Sequence, residues 1–179
     1  MTHPLRSTVL LAALAGGVLL TPTLADAHCQ VPCGIYGDGL KFEELYQHVE
    51  TIEASMVAIV ELAEPEGALE QQQLVRWTIN KDEHATKLQH EAQAYFLAQR
   101  IMLPEDGADE AAVAKYHAQL VALHEIIVYA MRCKQTVDLD NVVALRAALD
   151  ELKALYFDEQ ALQHLKEHKD GHHHEHAEG

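Results

Sequence analysis

Two cysteines and a histidine crowd into one short stretch, His28-Cys29-Gln30-Val31-Pro32-Cys33-Gly34-Ile35-Tyr36. Imidazoles and thiolates are strong transition-metal ligands. The triplet Ala25-Asp26-Ala27 stands directly before His28 and has the small-x-small form of a signal-peptidase site. Cleavage after Ala27 would make His28 the first residue. Its free amine and imidazole, the backbone amide of Cys29 and the thiolates of Cys29 and Cys33 would then lie within six residues. An amide nitrogen that loses its proton becomes a strong anionic donor in line with the amine. With two thiolates it completes a flat square of two nitrogens and two sulfurs. That set suits Ni(II) or Cu(II) better than zinc, which prefers a tetrahedron. Anionic donors also stabilise a higher oxidation state, and the imidazole can move to an axial position when the metal is oxidised. The set is therefore fit for one-electron chemistry. Pro32 fixes φ, and Gly34 allows dihedrals closed to other residues, so the backbone can curl and return the second thiolate. The competing reading is a small Cys29–Cys33 disulfide loop in an oxidising compartment.

The same residues speak to compartment. Arg6 gives a positive start, Val9 to Leu20 an apolar run, and Ala25-x-Ala27 the cleavage site, so residues 1–27 read as a secretory signal. The apolar run is short for a membrane span, and Thr21-Pro22-Thr23 breaks it. The absence of an Arg-Arg pair argues against twin-arginine export. The expected product is periplasmic or extracellular. Removing 27 of 179 residues leaves 152, enough for one domain with a full core. The net charge is −15, and because Arg6 and Asp26 leave together it stays −15 after cleavage. Such a surface argues against nucleic acid as a partner. It also gives no general attraction for anions, so any anion steering must be local.

The rest of the chain must hold that stretch in place. Gly34, Gly37 and Gly39 punctuate residues 28–39, which predicts an irregular hook with Asp38 as the cap of the first helix. Residues 40–168 then read as a four-helix bundle. Phe42, Leu45, Val49, Ile52, Met56, Ile59 and Ala63 recur at steps of three and four and stop before Pro65 and Gly67. A second helix is predicted over 68–102, with the stripe Leu74, Trp77, Thr78, Ala85, Leu88, Ala92, Tyr95 and Ala98. Lys81, His84 and Glu91 fall at the edge of its seam and need partners if buried. A third helix over 109–134 carries Val113, Tyr116, Leu120, Leu123, Ile127 and Ala130. A fourth starts near Asp138 or Asp140 and carries Val142, Leu145, Leu149, Leu152 and Tyr156, with Leu162 and Leu165 after a phase slip. Short connectors and no strand-like alternation give an all-α, up-down-up-down bundle. Cys133 reads as a buried thiol. Residues 169–179 form a polar, His-rich tail whose run from His172 to His176 can bind Ni, Cu or Zn loosely; it is either a native metal-gathering tail or a chance or tag-like one.

His-Cys-x-x-Pro-Cys-Gly-x-Tyr at a processed N-terminus resembles the nickel hook of nickel superoxide dismutases. His28, Cys29, Pro32, Cys33, Gly34 and Tyr36 meet all its fixed positions. The likeness covers residues 28 to about 168. It implies dismutation of superoxide anion to dioxygen and hydrogen peroxide by a centre cycling between Ni(II) and Ni(III). It implies His28, Cys29 and Cys33 as metal ligands, with Pro32 and Gly34 shaping the hook. Tyr36 would line the open face of the metal, order water and control access. A glutamate on the first helix steadies the axial histidine in this family, and Glu44 stands at the matching distance. The likeness also implies a homohexamer, while the Ala25-x-Ala27 pattern implies signal peptidase as the maturing enzyme. Two features depart from the better-known members. Gln30 stands where they carry an acidic residue. His84 stands, in an ungapped reading, where they place an arginine behind the glutamate, and Arg76 lies two turns earlier. That arginine is therefore not carried over.

Two rival readings share parts of the pattern. An exported nickel-binding or delivery protein without catalysis would use the same ligands but not Tyr36 over an open face. A structural exported bundle would oxidise Cys29 and Cys33 to a disulfide.

Overall fold

A computed structural model describes residues 35–163 and 165. The signal at 1–27, His28, Cys29, Pro32, Cys33, Gly34 and the tail at 169–179 lie outside the described residues, as does the Tyr36 side chain. The described chain is helical: α1 at Ile35–Glu61, α2 at Ala68–Glu91, a π-helical segment at Ala92–Leu97 that continues α2, α3 at Glu110–Gln135 and α4 at Asp140–Tyr156. Each helix packs on its neighbours in sequence, and α1 packs on α4 to close the ring. This is the four-helix bundle that the apolar periodicity predicts.

The stripe of α1 goes inside as a unit: Phe42, Leu45, Val49, Ile52 and Met56 are fully buried. They meet Ala85 and Leu88 of α2, Ala122, Leu123, Ile126 and Ala130 of α3, and Leu145, Leu149 and Leu152 of α4. Cys133 is a buried free thiol, and burial pushes its pKa up to about 11. It stays protonated and apolar at neutral pH.

Three details differ from the sequence reading. First, α1 begins at Ile35, so Gly37, Asp38 and Gly39 are helical rather than part of an irregular hook. Glycine is a poor helix former, but tertiary packing overrides the local penalty: a Cβ built on Gly39 would stand 2.6 Å from Leu165 Cδ2. The absent side chain lets the C-terminal segment close onto the first turn of α1. Second, Leu74 and Trp77 are only half-buried and Thr78 is exposed, so the early half of α2 adds no fully buried residue before Lys81. Third, the π segment inserts an extra residue per turn. That rotates the face after Ala92, so Tyr95 and Phe96 are both buried and Ala98 is exposed.

The ends of the helices are chemically closed. The Asp109 carboxylate accepts from the Ala112 amide at 2.7 Å and caps α3. Gly107 takes a φ of +84° in the link before it, a conformation that favours glycine. Lys81, only 3 % exposed, donates its ammonium to the carbonyls of Cys133 and Lys134, each at 2.7 Å. A cation at a helix C-terminus satisfies orphan carbonyls and complements the macrodipole. Beyond α4 the chain bends at Phe157, and Asp158 caps another helical turn by accepting from the Ala161 amide at 2.8 Å.

Replacing Lys81 by Met keeps the bulk and removes the donor. We expect Lys81→Met to lower the unfolding free energy by about 2 kcal/mol in urea titration. An unchanged midpoint would contradict the capping role.

Candidate metal centre

The described residues nearest the sequence motif belong to the first turns of α1. Tyr36 lies in the first turn. Asp38 comes two residues later and is 7 % exposed. Its carboxylate does not cap the helix as the sequence suggests. It accepts instead from the Tyr95 hydroxyl at 2.5 Å and the Tyr156 hydroxyl at 2.7 Å, and it pairs with Arg100 Nε at 3.0 Å. An Arg100 terminal nitrogen also donates to the Tyr95 oxygen at 3.1 Å. Burial first, and then the hydrogen bond to Asp38, raise the pKa of both phenols. Both therefore remain protonated and keep donating. A buried carboxylate is costly to hold unless satisfied, and here two phenol donors and the paired Arg100 cation compensate it. The π segment brings Tyr95, the residues after it bring Arg100, and the end of α4 brings Tyr156.

Tyr95 is held on its faces as well. Lys41 Nζ stands 5.5 Å and the Arg100 guanidinium 4.9 Å from its ring centroid. Lys41 then reaches across the α1–α2 seam, with Nζ 2.8 Å from Glu44 and 2.9 Å from Glu91. Glu44 is thus a half-exposed carboxylate, 44 % accessible, steadied by a cation one turn away on its own helix. The next turn of α1 carries His48, whose Nδ1 lies 3.0 Å from Nδ1 of His84. Asn80 donates to the Ser55 hydroxyl at 3.1 Å further down the same seam. All three polar seam-edge residues of α2, Lys81, His84 and Glu91, have found partners.

Sequence reasoning does not single out Lys41, His48, Tyr95, Tyr156 or Arg100 as parts of one assembly. A signal exists for two of them. A tyrosine on a core stripe brings a hydroxyl that needs an acceptor, and Asp38 offers a carboxylate just past the motif. Nothing local foretells the π segment that aims Tyr95 at it.

Among the described residues, no group of three or more His, Cys, Asp or Glu side chains is arranged to hold a metal ion. The bundle supplies a scaffold with acid, base and cation groups at its rim, and the soft donors lie ahead of it in sequence. With His28 as the first residue, the donors of residues 28–33 would be an amine, an imidazole, an amide and two thiols, a set that fits nickel by its nitrogen and sulfur chemistry.

The family model for nickel-containing superoxide dismutase matches residues 23–160. No curated protein and no solved structure matches the chain.

We expect Asp38→Ala to deprive both phenols of their shared acceptor and Arg100 of its counter-charge. Its cost, read by thermal or urea unfolding, should be about 3 kcal/mol. Tyr156→Phe, which removes one donor and no charge, should cost about 1 kcal/mol. Equal costs for the two variants would contradict the shared-carboxylate account.

Proposed function

The chain belongs to the nickel-containing superoxide dismutase family, and from that premise we propose how its own residues serve the reaction. It is an oxidoreductase with a nickel cofactor, and superoxide is its substrate. When bound, nickel supplies a one-electron centre that takes an electron from one superoxide and gives it to the next. Two superoxide anions and two protons leave as dioxygen and hydrogen peroxide.

In this reading signal peptidase cuts after Ala27, the product is exported, and His28 becomes the N-terminus. The His28 amine and imidazole, the Cys29 amide and thiolate and the Cys33 thiolate hold the metal. Pro32 and Gly34 bend the hook. Tyr36 would order water beside the bound metal and limit access to it. The observation that carries the reading is a single match covering the motif and the bundle together, residues 23–160. The lack of a metal-holding group among the described residues supports placing the ligands ahead of α1.

Glu44 steadies the His28 imidazole. Simple reach supports this. Glu44 is nine residues past Ile35, about 13 Å along the helix axis. The seven residues from His28 to Ile35 span at most about 23 Å. His28 can therefore meet Glu44 if the hook turns back along α1, as a chain bent at Pro32 and Gly34 would.

The natural assembly is a homohexamer. Apolar side chains exposed on α2, Leu69, Val75 and Ile79, and Met102 and Leu103 beyond it, support a surface covered by other copies. The tail from His172 to His176 gathers metal loosely for the hook.

One residue added before His28, or Cys29→Ser or Cys33→Ser, should abolish dismutation while circular dichroism keeps its helical signal. Full activity in the extended protein would overturn the amine-ligand reading. Tyr36→Phe should change turnover at unchanged nickel content. Glu44→Gln should lower activity or nickel retention by about 10- to 100-fold. Sedimentation equilibrium of the mature protein should give the mass of six chains; a stable monomer would contradict the assembly.

A further inference from the structure

The seam between α1 and α2 repeats a polar rung every seven residues. On α1 the rungs fall at Lys41, His48 and Ser55, and on α2 the first two answer at Glu91 and His84. The first rung holds Glu44 through Lys41. The second is the pair of imidazoles, their rings 4.9 Å apart and nearly perpendicular.

Two Nδ1 atoms 3.0 Å apart form a hydrogen bond only if one carries a proton and the other does not. A second proton removes the acceptor and sets two cations against each other. His48 is 9 % exposed, so its ring has little room to turn toward water. We propose that His48 and His84 share one proton across their Nδ1 atoms and that this pair positions Glu44, as an acid-sensitive clasp on the α1–α2 seam. The proposal rests on the reading of Glu44 as partner of the His28 imidazole.

The surroundings of the pair are mixed in charge. His48 faces Glu44 on its own helix and His84, Lys87 and Glu91 on α2. His84 faces Lys87 and Glu83 on its own helix. The charges of α4 are engaged elsewhere on α1: Asp150 with Tyr46, Lys153 with Glu43 and Arg146 with Glu53. On α3, Lys134 is engaged with Thr86. Burial first, then the partner imidazole, lowers the pKa of His48; burial first, then Lys87, lowers that of His84. Below the ordinary value of 6.5 the unfolded chain therefore takes up protons that the folded pair refuses. Stability falls as pH drops from there toward the lowered folded values. Once those are passed, the pair charges and the clasp opens. Glu44 is one turn away on the same helix and moves with it.

The test compares nickel-loaded mature protein with His84→Gln, whose amide can donate or accept to His48 without charging. Imidazole nitrogen NMR, thermal unfolding and turnover per bound nickel are followed from about pH 8 to about pH 5. In the wild type the spectra should show one proton shared at neutral pH. Unfolding midpoint and turnover should fall together in acid, turnover by about tenfold. His84→Gln should keep neutral-pH turnover and lose most of the acid-side fall in both. Should His84→Gln fail to fold, His48→Gln makes the same comparison from the other helix. A glutamine variant with the wild-type pH profiles, or spectra showing no shared proton, overturns the proposal. Glu44→Gln separates the underlying reading. If it is fully active while the melting curves of wild type and His84→Gln still diverge in acid, the clasp exists but positions nothing, and the proposal fails as stated.

Discussion

One carboxylate ties the first turn of α1 into the bundle. Asp38 sits two residues past Tyr36 and gathers the Tyr95 and Tyr156 hydroxyls and the Arg100 guanidinium. Those partners belong to the far end of the α2 helix and the end of α4. The first turn of α1 is thereby fixed against two other helices at once. Leu165 closes the remaining side by packing on Gly39. A metal held by an N-terminal segment, as proposed for residues 28–33, would need such a root, because the segment's own few residues cannot build a core. Hydrogen bonds to an ionised, buried acceptor are among the stronger ones available, so the anchor sits where rigidity matters most.

Below the root, α1 and α2 alternate apolar and polar layers. Leu45, Val49 and Ile52 bury area, which is non-directional. Lys41 with Glu91, His48 with His84 and Ser55 with Asn80 add direction. Sliding α1 by one turn along α2 would break every one of these pairs, so they select one register from several that the apolar stripe tolerates. That register in turn sets where Glu44 stands on the α1–α2 seam. The path runs from a seven-residue polar repeat in the sequence to the placement of one carboxylate at the rim.

Much of this is legible in the residues. The motif from His28 to Tyr36 points to the chemistry and the family, and the family match agrees. The α1 stripe from Phe42 to Met56 is buried as its spacing requires. Other features need the fold. Gly37 and Gly39 signal irregular backbone by propensity alone, yet they are helical because the C-terminal segment fills the space beside Gly39. The π segment leaves no local mark, so the periodicity makes Tyr95 plain core and Ala98 buried. His48 and His84 lie 36 residues apart, and only the antiparallel packing of two helices brings their nitrogens together. Asp38 reads as a cap because local sequence shows the turn it opens and not the phenols that reach it.

The whole account depends on which nitrogen begins the mature chain. N-terminal sequencing with metal analysis of the protein from its native source reads that directly. The account predicts a first residue of His28 and one nickel per chain. A mature chain that begins at any other residue while still carrying nickel and dismuting superoxide would contradict it.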